Sequence, residues 1–178
     1  MDKEIQIFRC RICGDPYIGT EAPSRCPFCG AHTKYFIEAA NWNTSEFEVE
    51  MSEKSHMNLE EALDLEINNS GFYECAMDKA KASGDEYYIA KFKALKKIEF
   101  EHASAICKFL KISPPSLPAI LCSDAPQGNT KEGWCREKRA IESYSQFKRE
   151  ASEPRLKEFF GALVEIETDH LNLHASKL

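Results

Sequence analysis

The chain has 178 residues, a formal net charge of −6 and eight cysteines. That length leaves room for one ordinary domain and a small one, and the negative charge argues against nucleic acid and anionic membrane surfaces as partners. No apolar run nears the roughly 20 residues of a membrane span, and the start, Met-Asp-Lys-Glu-Ile-Gln-Ile-Phe, lacks the apolar stretch of a signal peptide.

Residues 1–36 read as short strands and turns, punctuated by Gly14, Pro16, Gly19, Pro23, Pro27 and Gly30. A segment of this size cannot bury a sufficient core alone and needs a staple such as a metal. The cysteines supply one. Cys10-Arg-Ile-Cys13-Gly14 is followed by Cys26-Pro-Phe-Cys29-Gly30, and paired Cys-x-x-Cys motifs bring four thiolates to one ion. The Gly after each second Cys permits the positive φ of a turn that aims both sulfurs at one point. Iron would make this unit a one-electron carrier, zinc a structural ribbon. Cys75 and Cys107 fall in helical patterns and read as small buried hydrophobes. A reducing cytoplasm is the expected compartment.

Residues 37–57 are polar and acidic without a helical period, as in a linker; residues 58–178 turn helical. Helix one ends near Gly84, and helix two runs from about Asp85 to Lys111. A Pro-rich stretch from Ser113 to Asn129 follows, then helix three from about Lys131 to Ser152 and helix four from Pro154 to about Ala175. Short, long and short connections give the rhythm of an all-α, ferritin-like four-helix bundle with one crossover.

Two of these helices carry Glu-x-x-His: Glu99 with His102, and Glu167 with His170. Residues three apart share a helix face, so each pair can bind one metal. The matching two-metal set adds one Glu from each of the other helices. On helix one Glu66 is the candidate, with Tyr73 two turns later on its side. On helix three Glu137 repeats that step with Tyr144, and Glu142 is the runner-up. Glu66 to Glu99 is 33 positions, yet Glu137 to Glu167 is only 30, so equal spacing would put the third-helix ligand at Trp134. Either the second half is shorter between its ligands, or the usual carboxylate is lost and Glu137 serves one turn later. Tyr73 reads either as a catalytic hydrogen-bond donor to a site carboxylate or bound oxygen species, or as a packed helix residue. His174, one turn past His170, reads as an exposed helix-end residue, with a hydrogen-bond partner behind the site's ligands as the alternative, and His32 and His56 carry no functional signal.

The four cysteines, followed by Lys34-Tyr35-Phe36, resemble a rubredoxin, although Asp15-Pro16 intervenes before Tyr17. With Glu66, Tyr73, Glu99-x-x-His102 and Glu167-x-x-His170, nearly the whole chain resembles a rubrerythrin, in the reverse order that sets the four-cysteine unit first. The resemblance implies two irons in the bundle and one at Cys10, Cys13, Cys26 and Cys29, with zinc as the alternative there. It implies reduction of hydrogen peroxide to water in oxidative-stress defence, an external reductase or other electron donor, and a homodimer. Many family members carry two helix-three carboxylates three residues apart, and the spacing sets Glu137 at the second of those positions. A ferroxidase, or a zinc ribbon on a bundle with a degraded site, are the competing readings.

Overall fold

A computed structural model describes residues 4–178. Strands β1 (Gln6–Cys10), β2 (Pro16–Gly19) and β3 (Phe36–Glu38) form an antiparallel sheet in the order β2-β1-β3. Its register pairs Phe8 with Tyr17 on one side and with Glu38 on the other. The interior of this unit is Ile12, Ala31, Tyr35 and the four cysteines, all buried. So small an apolar set leaves the cysteines as its structural centre.

The bundle comprises α1 (Glu53–Ser83), α2 (Glu86–Leu110), α3 (Pro126–Glu150) and α4 (Pro154–Ala175). Helix α1 packs chiefly on α2 and α3 on α4, with α1 against α3 joining the two hairpins. At the first hairpin Gly84 closes α1 in the left-handed region, and the Asp85 side chain caps α2 by accepting from Tyr87 N and Tyr88 N. No helix among the described residues is long and apolar enough to cross a membrane.

Three boundaries differ from the sequence reading. Helix α1 starts at Glu53 rather than 58, where Ser52 Oγ accepts from Ser55 N at 3.2 Å. Its first turns make polar contacts, Ser55 to Glu153 at 2.5 Å and Asn58 to Glu150 at 3.0 Å, so no apolar period marks them. Helix α3 starts at Pro126 rather than Lys131, because proline is tolerated in a first turn where its missing N–H would be unpaired anyway. Residues 37–57 do not form an open linker. Strand β3 reaches Glu38, Phe47 packs on Phe109 with ring centroids 5.0 Å apart, and buried Glu46 binds Arg11 at 2.9 Å and Arg155 at 3.0 Å.

Cys75 is not a free thiol. It forms a disulfide with Cys122 (Cα–Cα 6.1 Å), which ties α1 to the long crossover, while Cys107 is buried and unpaired.

Candidate metal centres

Around the N-terminal site, Gly14 and Gly30 adopt φ of +88° and +78°, and their amides donate to Cys10 O at 2.7 Å and Cys26 O at 2.9 Å. Each turn brings its pair of sulfurs inward. The Sγ atoms of Cys10 and Cys29 lie 3.7 Å apart, and those of Cys13 and Cys26 3.8 Å apart. A tetrahedral ion with metal–sulfur bonds of about 2.3 Å requires sulfurs about 3.8 Å apart. The four thiols fit one such ion.

The bundle interior holds six predicted ligands in two overlapping groups. Glu66, Glu99, His102 and Glu167 form one; Glu99, Glu137, Glu167 and His170 form the other, with donor atoms in each within 4.8 Å of one another. Glu99 and Glu167 are common to both, as bridging carboxylates between two ions must be. All six side chains are buried, with only His170 showing any exposure, at 6%. Glu66 Oε2, both oxygens of Glu99, Glu137 Oε2, Glu167 Oε1 and His102 Nδ1 have no hydrogen-bond partner among the described residues. Buried polar atoms without partners carry a large desolvation cost. Here they converge on one another, and cations between them would relieve that cost.

The electrostatics agree. Burial and the charges of Glu167, and for Glu99 also of Glu137 and Glu66, hold the carboxyls of Glu99 and Glu137 well above the usual carboxylate range. Burial also opposes ionisation of Glu167, but His170 and His102 hold it below its ordinary value. Burial disfavours the imidazolium of His102, yet Glu66 and Glu167 raise it well above normal. Such a cluster lacks positive charge, and divalent ions would supply it.

Two tyrosines cross-brace the site. Tyr73 on α1 donates to Glu137 Oε1 on α3, and Tyr144 on α3 donates to Glu66 Oε1 on α1 at 2.5 Å. Burial raises both phenols well above their ordinary value, with Glu137 and Glu66 adding to it. The exchange makes Glu137 the counterpart of Glu66, and the missing three positions are a matter of length. Helix α1 continues past Glu66 to Ser83, about one turn further than α3 past Glu137 to Glu150. Hence Glu137 does not occupy a second carboxylate position behind Trp134. Trp134 is half-buried outside both groups with Lys138 over its ring, Glu142 is exposed, and Ala140 is the buried residue one turn after Glu137.

His174 differs most from the sequence reading. It is fully buried, and its Nε2 lies 2.9 Å from the Tyr73 hydroxyl. The sequence signal for Tyr144 was the repeated Glu-to-Tyr step of seven; for His174 it was its place one turn beyond His170.

The two centres touch. His102 Nε2 donates to the Cys29 carbonyl at 2.8 Å, leaving Nδ1 for the bundle group, 3.2 Å from Glu167. A backbone carbonyl in this role fixes the tautomer of a metal-binding imidazole. Gly30 packs beside it, where a Cβ would stand 3.1 Å from Ile166. Ion pairs seal the junction: Arg11 with Glu158 at 2.8 Å, Arg25 with Asp169 at 2.6 Å, and Lys34 with Glu165 at 2.5 Å. His32, without signal in the sequence, joins Asp169 at 2.9 Å.

A model of the rubrerythrin rubredoxin-like domain matches residues 8–37. Reverse rubrerythrin-1 of Clostridium acetobutylicum is 29% identical over 113 residues, and the match spans 59% of this chain and 60% of that protein. No solved structure matches the chain. The chain is thus similar over its N-terminal unit to the rubredoxin-like domain of rubrerythrins, and over somewhat more than half its length to a reverse rubrerythrin.

Proposed function

We propose that the chain reduces hydrogen peroxide to water at two irons in the bundle, re-reduced through one iron at the four cysteines. The observation that carries this reading is His102, one imidazole whose Nδ1 faces the bundle carboxylates while its Nε2 holds the carbonyl of Cys29. A bundle that served as a scaffold would have no use for six buried ligands so joined to a thiolate site. Iron bound at these residues would supply single electrons at the thiolates and two electrons together in the bundle, which avoids a radical product. Within the chain, Glu99 and Glu167 would hold both ions, Glu66 and Glu137 one each, and Tyr73 and Tyr144 would fix the two terminal carboxylates. The close packing of the knuckle on α4 keeps water from the contact between the centres.

An external electron donor, a homodimer and a cytoplasmic role in oxidative-stress defence belong to the same proposal. The electron path does not depend on the homodimer, because Cys29 and His102 meet within one chain. Aerobically purified protein should be coloured, since ferric iron on four thiolates absorbs strongly, and dithionite should bleach it. Reduced protein mixed with peroxide in stopped flow should reoxidise far faster than with dissolved oxygen. Colourless protein overturns the relay; equal rates with the two oxidants favour a ferroxidase.

A further inference from the structure

The crossover between α2 and α3 lies along α1 as a strap. Gly71, Cys75 and Lys79 follow one another at successive turns on one side of α1, and each meets the strap. At Gly71 a Cβ would stand 2.7 Å from Pro118 O, so only glycine lets the chain pass there. Cys75 bonds Cys122, and Lys79 pairs with Asp124. Buried Asn129 on α3 grips the residue after Cys122, accepting from Ser123 N at 2.8 Å and donating to Ser123 O at 2.9 Å. Ile120 and Cys122 also pack on the cluster that contains Phe72 and Tyr73. These contacts flank the disulfide, and none runs through it. With the bond reduced they still hold the two thiols face to face, which speeds its closure.

The two sulfurs differ in their surroundings. Cys122, half-buried, lines a cavity of about 290 Å³ together with Ser123, Gly128, Asn129 and Arg136. Gly128 and Asn129 belong to the first turn of α3, the positive end of its dipole. Arg136 adds a guanidinium, itself paired with Glu132 at 3.0 Å. Positive surroundings of this kind stabilise the sulfur anion, the form that attacks peroxide. The cavity has room for a molecule as small as H2O2, and Cys75 stands on α1 as the partner that completes the bond.

We propose that Cys75 and Cys122 form a peroxide-reducing site of their own, in which a dithiol supplies the electrons. The Cys122 thiolate attacks one oxygen of H2O2. A sulfur–oxygen bond forms, the oxygen–oxygen bond breaks, and the hydroxide released takes up the thiol's proton and leaves as water. Cys75 then attacks the sulfenic sulfur, the sulfur–sulfur bond forms, and the hydroxyl departs with the Cys75 proton as a second water. Two thiols lose two electrons in all, and one peroxide gains them. A low-molecular-weight thiol, by disulfide exchange, restores the pair. Closure fastens the crossover to α1 beside Phe72 and Tyr73. The site needs no iron and stands apart from the bundle reading.

The test uses zinc-loaded protein, which carries no iron to react with peroxide, reduced with a phosphine and then freed of it. After H2O2 is added, thiols are trapped with N-ethylmaleimide at intervals and the peptides identified by mass. We expect the Cys75–Cys122 link to form at least about tenfold faster than Cys135, a half-buried free thiol of the same chain, is oxidised. In Cys75→Ser, Cys122 should become a sulfenic acid that dimedone labels; in Cys122→Ser, Cys75 should stay a thiol. A link that forms no faster than Cys135 oxidises overturns the proposal, and so does dimedone on Cys75 instead of Cys122. Should the serine variants fail to fold, the wild-type rates decide alone. Reoxidation of the iron-loaded double variant, Cys75→Ser with Cys122→Ser, tests the bundle by itself, so either reading can fail without the other.

Discussion

Glu137 stands where the sequence left most open and the structure gives most detail. Its carboxylate is buried, belongs to one of the two groups that could hold an ion, and accepts from Tyr73. Replacing Tyr73 or Tyr144 with Phe leaves a buried carboxylate oxygen without its donor, a loss of about 1–3 kcal/mol. Urea denaturation of metal-loaded protein should register it in either variant, and an unchanged midpoint would mean the phenols only fill space. Glu137→Ala should lower bundle metal content by at least one ion per chain, whereas exposed Glu142→Ala should leave it unchanged. Metal analysis at matched thiolate-site occupancy separates the two. Which residues were legible follows from how their signals arise. Glu99, His102, Glu167 and His170 announce themselves by spacing, because a helix turns i and i+3 to one side. His174 does not, because its burial depends on Gly133 across on α3, a contact between helices that leaves no period in either.

At the level of elements, the four helices were legible from apolar periods, and their ends were misplaced where the contacts are polar. Ser55 and Asn58 bond carboxylates on the far side of the bundle, so the first turns of α1 look like linker. The crossover reads as loop in the sequence, which carries no sign of its attachment to α1. Cys75 lies within a helical period and Cys122 within a loop, and only the folded chain brings their Cα atoms within 6.1 Å. That bond closes a sequence separation of 47 residues. On the chain-entropy account such a closure is worth about 4 kcal/mol, an upper figure where the unfolded chain keeps structure. Guanidinium denaturation of Cys75→Ser with Cys122→Ser should show a midpoint lowered accordingly, and wild-type protein should match it only under a strong thiol reductant. A midpoint insensitive to both would mean the crossover is held by packing alone. In a reducing compartment the pair would stand as two thiols, and the folded chain would lose this contribution.

For the molecule as a whole, metal and fold are one problem. The N-terminal unit lacks an apolar core without its ion, and the bundle presses four carboxyls together in a dry interior. Stripped of metal, the folded chain holds Glu99 and Glu137 protonated above their ordinary range, through burial first and neighbouring carboxylates second. It also keeps His102 and His170 protonated above theirs, because Glu66 and Glu167 around His102, and Glu167 and Glu137 around His170, outweigh burial. The folded form then binds more protons than the unfolded chain, so its stability must fall as pH rises from about 5 to 7.5. Two groups at the site are displaced the other way. Glu167 acts only below about 4.5. His174, lowered to about 3 by burial and then Lys91, offsets at most one proton of this difference and does not reverse its sign. Bound metal inverts the balance: four carboxylates ionised and both imidazoles neutral mean fewer protons in the folded form. Stability of the loaded protein should therefore climb over the same interval. Thermal unfolding of chelator-stripped and metal-loaded protein across that range should give slopes of opposite sign. Slopes of the same sign would mean that the buried carboxylates are not where the bundle ions bind.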